Sequence, residues 1–381
     1  IMITSARRQE DQDQVAHLIR SIRRYELLRI AFAQLLGLID DSQTRMALTE
    51  LADATLGASL QSARAAVIRS LGVADLDLDF AVIAMGRLGG QELGYGSDAD
   101  VLFVFEPRAA AGALVAVSDG PEEPTAANRA HAVAEELRGM LSAPSSDPPL
   151  ILDANLRPEG RNGPLVRSLS SYAEYYARWS SVWEAQALLR ARFCAGDPQL
   201  GEKFIDLIDD IRYPPGGLPA ADVLEVRRIK GRVDAERLPR GADPHTHTKL
   251  GRGGLTDVEW TAQLLQLRYA HEVPGLRISA TLPALWAAAE AGKLSDDQAA
   301  ALEAAWRLAS RARDAIMLVR DKADDQLPNQ GLVLAAVGRV LDYPPGSDPG
   351  QLVDDYRRTT RRARKVVESV FYDAPAVDPT S

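Results

Sequence analysis

The sequence predicts an α+β chain: a small mixed β-sheet embedded in a predominantly helical polypeptide, with a helical bundle in its C-terminal region. Two short apolar runs, at 80–85 and 101–105, flank a glycine-rich segment and are typical of buried strands. A third apolar run, at 150–156, has the length of another strand. Most of the remaining chain repeats apolar residues at every third and fourth position, which is the helical pattern.

The other elements follow from the same periodicities. Helices are expected over 5–40 and 46–71, ahead of the strands, and at 125–142, between the second and third strands. Residues 107–124 are rich in proline, glycine, alanine and acids, which predicts a long exposed loop. Further helices are predicted at 169–194, 199–212, 221–239, 255–271, 295–321 and 350–371, before a frayed tail from 374.

The composition excludes several classes of protein. The 44 Lys and Arg against 53 Asp and Glu give a net charge of −9, so no excess positive field attracts nucleic acid or an anionic membrane. Cys194 is the only cysteine, which excludes a disulfide framework and a cysteine-based zinc site. No run of about 18 apolar residues occurs and no charged-then-apolar stretch opens the given sequence, so neither a membrane span nor a secretory leader is expected. We therefore expect a reduced, cytoplasmic protein, and a local site for a single nucleotide remains compatible with this charge.

Asp98 and Asp100 stand two residues apart where the second predicted strand begins. Because side chains on a strand alternate between faces, both carboxylates point to the same side. Neighbouring carboxylates repel each other unless a cation lies between them or one is protonated. Oxygen ligands of this kind suit Mg²⁺, which prefers carboxylates together with substrate phosphate oxygens. The alternative is an Asp-x-Asp turn on the surface with no metal.

Asp153 is a third acidic candidate, because it lies inside the apolar run 150–156. A carboxylate in such a strand is unfavourable to bury unless it is paired or bound to a metal. If this strand pairs beside the second one, Asp153 joins Asp98 and Asp100 around two Mg²⁺ ions, which can activate an attacking oxygen and neutralise a leaving phosphate. Otherwise Asp153 faces solvent at a strand end.

A glycine pair precedes the acidic residues. Gly89 and Gly90 lack a Cβ atom, so their backbone can approach a phosphate closely and present its N–H groups. The hydroxyl group of Ser97 adds another donor. These residues predict a phosphate-binding turn that leads into the acidic pair.

Longer stretches of the sequence resemble the glutamine synthetase adenylyltransferase family, which belongs to the polymerase-β-type nucleotidyltransferases. The matching motifs are MGRLGGQELGYGSDAD at 85–100, LRPEGRNG at 156–163, WEAQALLRAR at 183–192, GGLTDVEW at 253–260 and LRYAH at 267–271. They follow the family's order and extend over about half of the chain. The gap between Gly90 and Asp98 is shorter than is usual across the wider superfamily.

The resemblance implies one half of a bifunctional enzyme that carries two such units. Asp98 and Asp100 would hold Mg²⁺ on the substrate ATP, and Asp100 with Asp153 would hold a second ion or help deprotonate the attacking tyrosine. Glutamine synthetase is the implied protein substrate. A PII-type signalling protein and glutamine are the implied regulators of the full-length enzyme.

The direction of transfer is also implied by resemblance alone. Gly94 and the stretch 268–271 resemble the half that attaches AMP to a tyrosine. The rival is the half that removes AMP by phosphorolysis and gives ADP. Two further alternatives stay open: nucleotide transfer to a small molecule or an RNA end, and a non-catalytic regulatory module.

With the resemblance, we divide the chain into four domains. They are an N-terminal helical segment (1–72), a nucleotidyltransferase core (73–167), a helical region that binds nucleotide or substrate (168–272) and a C-terminal helical bundle (273–381).

Three basic residues are candidates for phosphate binding. Arg157 and Arg161 follow the third strand, and guanidinium groups suit bidentate contacts to the ATP triphosphate. Lys249 precedes a glycine-rich helix start, which is a natural anion site. The alternatives are that the arginines are solvated or pair with Glu159, and that Asp257 caps the helix instead.

Two other segments have open interpretations. The polar residues within 183–192 line a nucleotide pocket or form a buried salt-bridge network. The basic run 227–232 is a solvated helix face or a contact for an acidic protein.

Overall fold

The predicted α+β class is confirmed by a five-stranded mixed sheet within a mostly helical chain. The computed structural model describes residues 12–108 and 125–373. The start of the first predicted helix, most of the predicted loop 107–124 and the predicted tail from 374 lie outside the described residues.

The chain divides into two compact units. The first, called here the sheet unit, comprises Ile1–Phe32, Arg45–Leu93 and Asp98–Ile211. The second, called the helical unit, comprises Ala33–Thr44, Gly94–Ser97 and Arg212–Ser381. The four domains drawn from the sequence stay a prediction.

The elements up to residue 212 are α1 (Gln12–Leu35), α2 (Asp41–Leu71), β1 (Leu78–Ala84), α3 (Gly86–Gly89), β2 (Ala99–Pro107), α4 (Ala126–Ser142), β3 (Leu152–Asp153), β4 (Val166–Ser168), α5 (Leu169–Trp179), α6 (Val182–Leu188), β5 (Arg192–Gly196) and α7 (Pro198–Arg212). The later helices are α8 (Ala220–Glu236), α9 (Leu255–Tyr269), α10 (Thr281–Glu290), α11 (Asp296–Arg320), α12 (Gly331–Val340) and α13 (Gly350–Val370). Short 3₁₀ turns lie at Gly160–Asn162 and Pro274–Leu276.

The sheet has the strand order β3–β2–β1–β5, and β4 also pairs with β2. β1 is antiparallel to both β2 and β5, whereas β3 and β4 run parallel to β2. The two predicted central strands are therefore confirmed, and the third strand lies beside the second, which was the condition for bringing Asp153 near Asp100.

Both faces of the central strands are buried, which explains their nearly continuous apolar sequence. On one face, Ile83 and Leu102 pack with Tyr172 of α5 and Phe204 of α7 in a single core cluster. The Tyr172 and Phe204 rings meet edge to face at 5.0 Å between centroids. The helices that follow the sheet residues thus fix one face of the sheet.

The third strand is shorter than predicted, because only Leu152–Asp153 of the run 150–156 pairs as a strand. The Asp153 side chain accepts a hydrogen bond from the backbone N–H of Asn155 at 2.7 Å, which turns the chain out of the sheet.

The single helix predicted over 169–194 is wrong. Ser181 and Glu184 form a capping box that starts α6 as a new helix after α5 has ended. The last predicted residues instead belong to β5, which pairs with β1 through Ile83 and Phe193. The S-x-x-E signature at 181–184 was available in the sequence.

The helical unit contains the helices α8 to α13 among its described residues. The predicted helices near 221–239, 255–271, 295–321 and 350–371 are confirmed with small shifts at their ends. Helices α10 and α12, of 10 residues each, were not predicted. The fully buried Trp306 of α11 and Tyr356 of α13 are among the largest side chains in the core.

No helix within 12–108 or 125–373 is both long enough and apolar enough to cross a membrane.

Candidate active site

Two of the predicted acidic residues are adjacent in the sheet. Asp100, the second residue of β2, pairs in parallel register with Asp153, the last residue of β3. Residues paired in this way carry their side chains on the same face of the sheet. Both residues are half-buried, and Asp98, one residue before β2, is exposed. Sheet pairing therefore joins two carboxylates that are 53 positions apart in the chain.

Gly86 provides the space for one of these carboxylates. Its backbone has φ = +51°, and a Cβ atom there would lie 2.2 Å from Asp100 Oδ2. The neighbouring Met85 N–H donates to the Asp100 carbonyl at 2.8 Å, which fixes the strand beside this glycine. Gly86 was not among the site residues predicted from the sequence, although it opens α3 within the longest motif.

The fit of a metal ion can be judged from these residues. Among the described residues, no three or more His, Cys, Asp or Glu side chains are grouped so that they could hold one ion. Mg²⁺ is commonly held by one or two carboxylates together with substrate phosphate oxygens. Asp100 and Asp153 supply the two carboxylates of such a ligand set, and a bound nucleotide would supply the remaining oxygens.

The glycine pair serves the packing of α3. A Cβ atom on Gly89 would lie 1.8 Å from the Arg190 carbonyl oxygen and 2.7 Å from that of Ala84. The Gly89 N–H donates to the Met85 carbonyl at 2.7 Å, and the Gly90 N–H donates to the Gly86 carbonyl at 3.1 Å. Both amides thus have partners within the turn, and their predicted contact with phosphate stays a prediction.

Arg157 braces the loop that follows β3. Its guanidinium donates to three backbone carbonyls, those of Gly163 (3.1 Å), Ala154 (2.8 Å) and Arg161 (3.3 Å). Partial burial, followed by the nearby Arg138 charge, lowers the pKa of this guanidinium below its ordinary value. Glu159 pairs with Arg167 rather than with either predicted arginine.

Arg161 has a different environment in the same loop. Its side chain is exposed, and its Nε donates to Asn155 Oδ1 at 3.3 Å. Asn155 in turn donates its N–H to Asp153. Two successive hydrogen bonds therefore connect Arg161 to Asp153, the sheet partner of Asp100.

The loop of residues 154–165, called here the arginine loop, interrupts the edge of the sheet. Asp100 of β2 pairs with Asp153, and Phe103 of β2 pairs with Val166 at the start of β4. Residues 154–165 leave the sheet between these two pairings. Both ends of the loop are thus fixed to the strand that carries Asp100.

Ser97 and Lys249 belong to the helical unit. The Ser97 hydroxyl accepts the Gly94 N–H at 3.1 Å within a tight turn. Lys249 is exposed before α9, where the Asp257 carboxylate accepts the Gly253 N–H at 2.7 Å. Asp257 lies in the first turn of this helix, as the alternative interpretation predicted, but Gly254 is the N-cap residue. Phosphate contacts by Ser97 and Lys249 stay predictions.

Residues of the motif 183–192 take part in buried polar contacts of the sheet unit. Arg190 pairs with Glu92 at 2.7 Å, and the side chains are 5% and 6% exposed. Glu184 caps α6 and accepts the Tyr175 hydroxyl at 2.9 Å. The interpretation as a buried ion-pair network is therefore confirmed for this segment.

The basic run 227–232 is not a uniformly solvated face. Lys230 is 1% exposed, and its Nζ lies 2.5 Å from Asp257 Oδ1 and 2.5 Å from Asp234 Oδ1. The second oxygen of Asp257 pairs with Arg364 at 2.9 Å. A solvated or partner-binding role is wrong for Lys230, which instead connects α8 with α9.

Comparisons with known proteins identify the families that this chain resembles. A family model described as glutamate-ammonia ligase adenylyltransferase matches residues 3–206, and one described as GlnD PII-uridylyltransferase matches residues 227–371. The chain is 52% identical over 375 residues to the bifunctional glutamine synthetase adenylyltransferase/adenylyl-removing enzyme of Streptomyces avermitilis, which covers 95% of this chain and 36% of the relative.

Similarly named relatives from Nocardia farcinica and Mycobacterium avium are 52% and 50% identical over 374 and 372 residues. Each alignment covers 97% of this chain and 36% of the relative. The chain thus spans about a third of the length of the curated relatives it matches.

Proposed function

The chain belongs to the glutamate-ammonia ligase adenylyltransferase family, and we propose that it transfers AMP from ATP to a tyrosine hydroxyl group of glutamine synthetase. The observation that carries this proposal is the pairing of Asp100 with Asp153 beside the space left by Gly86. The names of the relatives support the choice of protein substrate.

The reaction is an in-line displacement. The phenolic oxygen forms a bond to the α-phosphorus of ATP, the bond between that phosphorus and the α,β-bridging oxygen breaks, and pyrophosphate leaves. We assign the tyrosine proton to Asp153 or Asp100. Bound Mg²⁺, at one or two positions, would supply charge neutralisation on the triphosphate. Asp98 and Asp100 are the proposed ligands of the ion on the nucleotide, and Asp100 with Asp153 are those of a second ion.

The arginine loop completes the proposed nucleotide site in the sheet unit. Arg157 shapes the loop through its three carbonyl contacts, and the exposed Arg161 contacts the triphosphate. Both ends of the loop are fixed to β2, so its arginines are held near the strand that carries Asp100. In this proposal, the residues accelerate the reaction by positioning the nucleotide and by stabilising its charge.

Regulation and location are further parts of the proposal. We assign control by a PII-type signalling protein and by glutamine to the longer enzyme. The similarity of 227–371 to a PII-uridylyltransferase family supports this assignment. We place the reaction in the cytoplasm, where its nucleotide donor is available.

The test uses ATP labelled in its α-phosphate, Mg²⁺ and glutamine synthetase. We expect label on a glutamine synthetase tyrosine, loss of labelling with a chelator, and a decrease of about 100-fold or more for Asp100→Asn. Glu106→Gln, on the same strand but in an exposed pair with Lys203, is the matched control and should retain activity.

Two results would contradict the proposal. A turnover of Asp100→Asn within about twofold of wild type at saturating Mg²⁺ would exclude the assigned acidic site. Efficient phosphate-dependent release of ADP from adenylylated glutamine synthetase, with negligible AMP addition, would select the removing half instead.

A further inference from the structure

The turn Gly94–Ser97 lies between the glycine pair and the acidic pair, and it belongs to the helical unit. Within the turn, the Ser97 N–H donates to the Gly94 carbonyl at 3.1 Å, and the Ser97 hydroxyl accepts the Gly94 N–H at 3.1 Å. Ser97 is bonded directly to Asp98. The turn is therefore the segment of chain that leads directly into Asp98.

A buried carboxylate of α11 holds the turn. Asp314 is 3% exposed, and its Oδ1 accepts the backbone N–H of Tyr95 at 3.2 Å. The same oxygen would lie 2.3 Å from a Cβ atom on Gly94. Gly94 has no positive φ, so the requirement for glycine here comes from the close carboxylate and not from backbone conformation.

Other contacts hold the rest of the turn in the same unit. The Tyr95 hydroxyl donates to Gln34 Oε1 at 2.8 Å. A Cβ atom on Gly96 would lie 3.0 Å from Ala323 Cβ and 3.4 Å from Met317 Sδ, so this glycine also packs closely beside the end of α11. Residues Gly94, Tyr95 and Gly96 of the turn thus all lie close to α11 or to the residues just after it.

We propose that Asp314 is a positioning residue for adenylyl transfer, which acts by holding the turn that carries the chain into Asp98. This inference rests on the proposed function. It adds a residue 214 positions beyond Asp100 to the determinants of the reaction. It also gives Gly94 a role: an alanine there would collide with the carboxylate that anchors the turn.

The first test measures the anchor without using activity. Hydrogen exchange of the Tyr95 amide in the full chain should be about tenfold or more faster in Asp314→Ala than in wild type, since the acceptor is lost. Asp321→Asn is the matched control, because Asp321 is exposed in a left-handed position at the end of the same helix, where Asn is tolerated. Unchanged Tyr95 exchange in Asp314→Ala would overturn the inference.

The second test separates positioning from general stability. In Asp314→Ala, kcat should decrease about 10- to 100-fold and the Mg²⁺ concentration for half-maximal rate should rise, while the KM for glutamine synthetase stays unchanged. A purely structural role would lower only the active fraction, without a change in Mg²⁺ dependence. Asp314→Asn keeps the shape and one oxygen acceptor, so it should retain the fold and show a smaller loss.

A double-variant cycle tests the close contact itself. Gly94→Ala alone should impair turnover and speed Tyr95 exchange, whereas adding Gly94→Ala to Asp314→Ala should have little further effect, because the colliding oxygen is gone. Equal effects in the two backgrounds would overturn the assignment. If wild type does not adenylylate glutamine synthetase, the proposed function fails, and the exchange measurements still judge the Asp314 contact.

Discussion

Replacing Lys230 by methionine should destabilise the helical unit strongly. The ammonium group and its partner Asp257 are 1% and 3% exposed, and removal of one member of such a buried pair typically costs about 3–5 kcal/mol. Asp257 keeps Arg364 at 2.9 Å and the Gly253 N–H at 2.7 Å in the variant. We therefore expect the lower end of that range, about 3 kcal/mol.

The matched control is Arg228→Met, two residues earlier on the same helix. Arg228 is 61% exposed and pairs with Glu225 within one turn of α8, so solvent screens the pair and its loss should destabilise the chain far less than the loss of Lys230. Urea denaturation followed by circular dichroism measures both variants. Amide exchange in α9 localises the effect, with β1 in the sheet unit as an internal reference. Equal destabilisation by the two substitutions would refute the reasoning.

The pH dependence gives an independent check. Burial opposes the charged form of Asp257, but the charges of Lys230 and Arg364 outweigh it and hold the pKa of the carboxyl below its ordinary value. The stabilisation is therefore present above the unfolded-state pKa of about 3.9 and is lost as the pH falls through the folded-state pKa. The gap in stability between wild type and Lys230→Met should narrow in acid.

In alkaline solution the stabilisation by this ion pair depends on pH in the opposite direction. Burial alone lowers the pKa of Lys230, but the charges of Asp257 and Asp234 outweigh it and raise this pKa above its ordinary value. The stabilisation is complete below the unfolded-state pKa of about 10.4 and is lost as the pH rises through the folded-state pKa. A gap that widens at either extreme would contradict the assigned pair.

Two further predictions concern the sheet unit. Arg157→Lys should speed amide exchange throughout the arginine loop, because a single ammonium cannot replace a guanidinium that contacts three carbonyls. Arg161→Lys should leave amide exchange unchanged and raise the KM for ATP about tenfold. Identical behaviour of the two variants would contradict the different roles assigned to the two arginines. Gly89→Ala should lower the free energy of unfolding, measured by urea denaturation, by about 3 kcal/mol, because its Cβ would meet a backbone carbonyl at 1.8 Å. The control Gly139→Ala, in open space on α4, should raise this free energy by about 0.5–1 kcal/mol. A small loss of stability in Gly89→Ala would show that α3 can shift away from the carbonyl.

The sequence predicts those strands of the sheet whose burial gives them a continuous run of apolar residues. The central strands are buried on both faces, so their apolar runs identified β1 and β2 directly. An acidic residue inside an apolar run marked Asp153 as a site candidate, but only the fold shows that its strand pairs with the strand that carries Asp100.

The elements that were missed depend on contacts between distant residues. β5 continues an alanine- and leucine-rich helical pattern, and its strand conformation comes from pairing with β1. Gly86 as the space for Asp100, and Asp314 as the anchor of a turn, involve separations that no local pattern records. Lys230 likewise resembles its basic neighbours in sequence, and only the fold brings Asp257 to it.

The interrupted edge of the sheet also affects how the chain behaves towards other copies of itself. A long exposed edge strand offers a row of unpaired N–H and C=O groups to which a strand of another molecule can add, and short edge strands reduce that risk. On the β2 side, the edge consists of β3 with two residues and β4 with three, separated by the arginine loop, and β5 on the opposite side has five residues. The break that places Arg157 and Arg161 directly after Asp153 therefore also shortens the template for strand addition on this side of the sheet.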